Sequence, residues 1–297
     1  LTDAGLVHLK GQTKLQTLSL NFTKITDTGL VHLKGMTKLE SLGLINTQIT
    51  DAGLVHLKEM TNLQQLNLQG TLVTDAGLAH LKGLTGLQTL GLHGETTDAG
   101  LVHLNGMNLK ELTISDEAKT DLGLKNYLAA VEPPATLRLA SWKITDAGLV
   151  HLKGLTNLET LELRSTEFTD AGLVHLKGLT GLKKLLSLPK QITDSGLVHL
   201  KGMTNLQTLY LSATQVTDAG LVHLAGMKLK TLTIPKQART DIGLKHYLAA
   251  MERQWHLDLT DWKITEAGLV YLNGLTSLQE LYLYKLTISD AGLVHLK

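Results

Sequence analysis

A chain of 297 residues, 43% hydrophobic and 19% charged, can bury a continuous core, and with aromatics at only 4% that core must be aliphatic. A net charge of +1, with no acidic or basic tail, gives no global pull toward nucleic acid or an anionic membrane. There are no cysteines, which excludes disulfide caps and cysteine zinc sites, and no apolar run approaches the roughly 18 residues of a membrane helix.

Read in chain order, an acidic residue returns at a nearly fixed spacing: Asp3, Asp27, Asp51, Asp75, Asp98, Asp121, Asp146, Asp170, Asp194, Asp218, Asp241, Glu266 and Asp290. Most steps are 24 residues, with a few of 23 or 25. Self-similarity at this period predicts a solenoid, in which each unit touches only its neighbours. Residues 1–297 therefore read as one continuous domain of about 12–13 repeats rather than the two globules that length alone suggests.

The stretch Leu206–Leu224 shows the unit. Leu209 and Leu211 alternate with Thr208, Tyr210 and Ser212, which predicts a short strand. After a turn, Val216 returns to the core and Thr217-Asp218 opens a helix, the hydroxyl as N-cap and the acid at the positive end of the helix dipole. Gly35, Gly154, Gly178 and Gly202 follow their helices as stop signals. Successive strands must pair in parallel, with the wider helices on the outer wall, so the body is expected to bend with its strands on the concave side.

A second period overlies the first. Residues 101–177 align without a gap on 221–297, an offset of five units, so Thr120–Ala130 returns as Thr240–Ala250 and Trp142-Lys143-Ile144 as Trp262-Lys263-Ile264. In both copies the helix gains Tyr-Leu-Ala-Ala; Pro133-Pro134 then ends the first, and Arg253-Gln254-Trp255 stands in the second. A block duplication explains this. Trp142 and Trp262 are expected to pack in the turn. Repeats around His93-Gly94-Glu95 and Asn108-Leu109 are one residue short, predicting tightened turns. At Leu185–Pro189 the leucine register slips, predicting Leu186 and Leu188 in the core and a bulge. The chain opens and closes inside a repeat, so we expect an excised piece of a longer array; compartment stays open.

The pattern Leu206, Leu209, Leu211, Thr214 and Val216, followed by Thr-Asp-x-Gly-Leu, resembles the leucine-rich repeat family, in the variant of F-box-associated and related bacterial arrays. The departure is threonine where the family carries Asn or Cys (Thr23, Thr47, Thr71, Thr166, Thr214), its hydroxyl serving the buried turn in place of the amide. The resemblance implies an α/β horseshoe, parallel strands inside and helices outside. It also implies a non-catalytic scaffold for a protein or peptide ligand.

Histidine tempts a chemical reading, at position five after the acid in most copies (His8, His32, His56, His80, His103, His151, His175, His199, His223, His246, His295). At about 200° from the buried leucine it should face solvent on the outer wall. Metal binding needs two or three imidazoles converging, and no acid is expected on that face, so no metal or cofactor is assigned. Lysine two residues later makes a His/Lys ridge without the stacking aromatics of a nucleic-acid site. No nucleophile elbow, phosphate loop or metalloprotease motif is present.

The better signal lies where the copies disagree. Early strands carry small or polar groups, from Thr17 to Gln69; later ones carry Arg138, Glu162, Arg164, Tyr210, His256, Asp258, Glu280, Tyr282 and Tyr284. Aromatics and arginine dominate binding hot spots, so these nine residues form the candidate partner surface, strongest toward the last strands. We expect a monomer without membrane insertion. The competing reading is a structural array that stacks end to end.

Overall fold

The computed structural model describes residues 1–253 and 255–296, without the side chain of His295. Lys297, where the sequence closes on a consensus helix, and Gln254 lie outside the described residues, as does the last imidazole of the histidine column. The chain divides into two compact units, Leu1–Pro133 and Pro134–Lys297.

In the first unit five parallel strands pair in sequence order: β1 (Thr17–Ser19), β2 (Ser41–Gly43), β3 (Gln65–Asn67), β4 (Thr89–Gly91) and β5 (Glu111–Thr113). Leu18, Leu42, Leu66, Leu90 and Leu112 lie side by side, because three steps of 24 residues and one of 22 place leucine beside leucine. Side chains alternate across a strand, so each leucine turns inward and both flanking residues face out. Each fully buried leucine contributes about 2 kcal/mol relative to an exposed one.

The second unit repeats the design. Strands β6 (Thr136–Arg138), β7 (Thr160–Glu162), β8 (Lys184–Leu186), β9 (Thr208–Tyr210) and β10 (Thr231–Thr233) form one open sheet, and β11 (His256–Asp258) pairs with β12 (Glu280–Tyr282) in another.

Behind the sheets the helices are shorter than expected. Most are one α turn followed by a 3-10 turn, as in Asp27–Leu30 and Val31–Leu33, and Gly100–Leu104, Gly172–Gly178 and Gly220–Leu224 are wholly 3-10. Leu30 and Leu33 are both 0% exposed and three residues apart. A 3-10 turn places such residues one above the other, so the leucine spacing favours it. Gly35, Gly154 and Gly202 end their turns at φ near +92 to +93, as stop signals should. Gly178 does not; it closes a longer 3-10 stretch without a left-handed φ.

The acid opening each repeat does more than face a helix dipole. The Asp27 carboxylate accepts from the Thr50 backbone N–H at 2.8 Å and from its hydroxyl at 2.6 Å, one repeat further on. Asp51 grips Thr74 in the same way, and in the second unit Asp146 grips Thr169 and Asp194 grips Thr217. The glycine of Thr-Asp-x-Gly makes room for this carboxylate: a Cβ on Gly77 would stand 2.2 Å from Asp51 Oδ1. Threonine, aspartate and glycine of the motif are thus one clamp between neighbours.

At Asp3, burial by itself raises the carboxyl pKa, but hydrogen bonds from Thr26 and Thr28 outweigh it and hold the group below the ordinary value. A depressed carboxyl contributes stability above the unfolded pKa, near 4, and loses it as pH falls through the folded one. Asp3→Asn should therefore narrow its gap to the parent as pH drops from 6 to 3 in urea titrations. A gap that widens refutes the assignment.

Thr47, Thr71, Thr166 and Thr214 are buried, and each hydroxyl donates at 2.7 Å to the carbonyl three residues before it. Threonine therefore closes the buried turn as its position in the consensus requires. Trp142 and Trp262 are 6% and 8% exposed, packed as expected, with Tyr247 edge-on to Trp262 at 5.7 Å.

The shortened and lengthened repeats compensate each other. The ten-residue helices Asp121–Ala130 and Asp241–Ala250 present C-terminal carbonyls to the repeat before them. Ala129 and Ala130 accept from Gly106 and Leu109, and Ala249 and Ala250 from Gly226 and Leu229, at 2.8–2.9 Å. The Tyr-Leu-Ala-Ala extension supplies acceptors where the short repeat turns at Asn108 (φ 51) or Lys228 (φ 58).

One leucine was misassigned. Leu185, not Leu186, pairs with Leu161 and Leu209 and is 0% exposed; Leu186 is half-buried, and Leu188 is in the core at 1%. The extra residue enters after the strand centre, at Ser187 with φ 58, so the register holds where the leucine run suggested a slip.

Candidate functional site

The sheet faces carry residues that the scaffold leaves free. On β11 and β12, His256 lies opposite Glu280 and Asp258 opposite Tyr282. His256 Nδ1 is 2.8 Å from Glu280 Oε2, and the His256 and Tyr282 rings are 5.3 Å apart. Trp255, 58% exposed, adds a third ring at 5.6 Å from His256. The Asp258 carboxyl accepts from Thr260, whose hydrogen bonds hold it below the ordinary carboxylate value. These neighbours form an exposed aromatic cluster with fixed charge partners.

Tyr284 does not share the strand. It lies in the turn after β12, 68% exposed, with Lys285 Nζ 5.5 Å from its ring centre. Tyr210 belongs to another sheet, on β9, and with Arg164 lines a cavity in the second unit. Arg138 and Glu162 are register partners on β6 and β7, while Arg164 follows β7 and approaches Glu162 at 3.5 Å. The nine candidates thus divide between the β11–β12 cluster and the β6–β9 face. In the first unit the corresponding face carries one charge, Glu111, among Asn21, Asn67, Gln65 and glycines at Gly43 and Gly91 along a groove of about 410 Å³.

Sequence reasoning missed Trp255, whose signal was its place just before a strand, and Phe22. Phe22 is 74% exposed with a left-handed φ of 56, at a position that other repeats give to Asn, Ser or Gly. The histidine column also needs correction. Val31 is 45% exposed, whereas His32 is half-buried, and Asp3 lies close enough to His32 for the imidazole to favour the ionised carboxylate. His246 Nδ1 meets the Asp218 carbonyl at 2.9 Å, and Asn126 donates to the Asp98 carbonyl at 3.0 Å in the equivalent place. His246 thus serves a junction between repeats, whereas His8 and His103 are exposed as expected and His199 Nδ1 is buried without a hydrogen-bond partner. Among the described residues no three His, Asp or Glu groups are placed to hold a metal ion, and no helix is long and apolar enough to cross a membrane.

Parallel three-residue strands backed by short helical turns, with a recurring clamp between neighbouring repeats, define a repeat solenoid of the α/β class. The family model described as "Leucine Rich repeat" matches residues 11–33, 154–176 and 202–225. Among solved structures, an internalin, InlF, of Listeria monocytogenes is 26% identical with a TM-score of 0.58, over 96% of this chain and 79% of that one. A second Listeria monocytogenes internalin, InlC2, is 25% identical with a TM-score of 0.36, over 79% of this chain and 84% of that one. The plant peptide hormone receptor RGFR1, solved in complex with RGF2, is 15% identical with a TM-score of 0.46, over 98% of this chain and 55% of that one. No curated protein matches. The chain is thus built of leucine-rich repeats, three of which match the family model.

Proposed function

We propose that this chain is a non-catalytic scaffold that binds a partner protein or peptide on its exposed sheet faces, the side expected to be concave. The observation that carries the reading is the β11–β12 cluster. Its Trp255, His256 and Tyr282 rings lie within 5.3–5.6 Å of their neighbours yet stay exposed, on a face where neither core nor clamp dictates side chains. Clustered aromatics flanked by charge are the composition of binding hot spots.

A photo-crosslinking side chain at Tyr282 should capture a discrete protein that the same group at Val198, on the helical face, does not. Changing Tyr210, Tyr282 and Tyr284 together to Ala should then weaken that partner more than tenfold at unchanged helicity. Equal capture from both faces, or undiminished affinity, defeats the proposal.

Stacking into an array is the second reading. Light scattering separates the two readings: concentration-dependent polymers favour stacking and a monomer favours the scaffold.

A further inference from the structure

The second unit carries a cavity of about 770 Å³ whose origin can be traced to the bulge at Ser187. In the neighbouring repeats two positions separate the strand leucine from the next core leucine (Leu161 to Leu163, Leu209 to Leu211); here three do (Leu185 to Leu188). The chain then reaches Asp194 in six positions instead of the seven from Leu163 to Asp170 or from Leu211 to Asp218. A turn one residue short between two full-length turns leaves a gap. Residues of all three turns line it.

Its chemistry is mixed in a definite way. Leu188 and Pro189 give it buried apolar wall, and Tyr210 adds an aromatic ring. Arg164 and Lys190 bring two cations against one acid, Glu167. Arg164 approaches Glu162 only at 3.5 Å and at an exposed position, so an incoming carboxylate displaces a weak contact. The size lies within the roughly 300–1,000 Å³ of ligand pockets.

We propose that this cavity seats a peptide segment of the partner protein in which an aromatic or aliphatic side chain stands next to a carboxylate. The apolar wall and Tyr210 take the side chain, and Arg164 and Lys190 take the carboxylate. The proposal rests on the protein-binding reading above and adds to it a second, separate contact with defined chemistry.

The test is selection of a phage-displayed random heptapeptide library on the full chain, followed by titration of the enriched peptides. Enriched peptides should carry Asp or Glu beside an aromatic or aliphatic residue. Lys190→Glu should weaken them at least tenfold, Ala213→Trp, which fills the cavity, should abolish binding, and Val198→Ala, exposed on the helical face, should change nothing. Lys190 is exposed and needs no repacking; for Ala213→Trp an unchanged urea midpoint certifies the fold. Enrichment of basic or uncharged sequences, or no enrichment, overturns the proposal. Peptides lost on His256→Ala but indifferent to both cavity variants overturn it too, while upholding the sheet-face reading.

Discussion

Asp51→Ala is expected to lower the stability of the chain by about 3 kcal/mol, because hydrogen bonds to a charged group are each worth about 1.5–3 kcal/mol and two are lost. The Asp51 carboxylate holds both the N–H and the hydroxyl of Thr74, at 2.8 and 2.7 Å. Removing it also opens a void over Gly77, whose missing Cβ was the space the carboxylate filled. Asp51→Asn keeps one acceptor oxygen and should recover about half of the loss. Urea unfolding of the three proteins checks the order. A loss below about 1 kcal/mol for the alanine variant would reduce the clamp to a solvated surface contact.

Gly243→Ala should cost a comparable amount for a steric reason. An added Cβ would stand 1.8 Å from the Ala238 carbonyl oxygen, and Ala238 is itself 0% exposed. The helix Asp241–Ala250 cannot slide away, since Thr240 Oγ1 bonds Gly243 N–H at one end and Ala249 and Ala250 bond the preceding repeat at the other. Overpacking of this kind typically costs about 1–3 kcal/mol, and the clash is with backbone, so the upper value applies. Gly226→Ala is the comparison: its φ of 79 is left-handed but nothing lies within 4 Å, so only about 1 kcal/mol of backbone strain is expected. If thermal melts find Gly226→Ala the more damaging, the steric account is wrong.

Features set within one repeat were legible in the sequence. The strand leucines, the threonines under the turns and most glycine stops follow from local spacing. Features set between repeats were not. Asp27 looks like a helix-dipole residue because its partner Thr50 stands 23 positions away, and no local pattern reveals which side chains meet across a junction. The histidine was sent to solvent by assuming 100° per residue along an α-helix. The real backbone turns into 3-10 geometry after Leu30, so Val31 takes the outermost direction and His32 the flank. For the candidate site, the exposed residues were found by their variation, but which of them cluster was not. Tyr284 leaves the strand and Tyr210 sits beside a cavity that only the short turn at Pro189 creates.

The clamp also governs how such a chain can change length. Each lock joins only adjacent units and, except for Glu266 with Ser289, uses the same three residue types, so a block cut from one Thr-Asp boundary to the next leaves matching halves behind. Excising residues 51–74 would bring Thr50 directly before Asp75, restoring the Thr-Asp-Ala-Gly run without a new junction to invent. The paired helices at Asp121–Ala130 and Asp241–Ala250 obey a different rule, because each serves the short repeat ahead of it. Those pairs are transferable only together, with the short repeat and the long helix as one cassette.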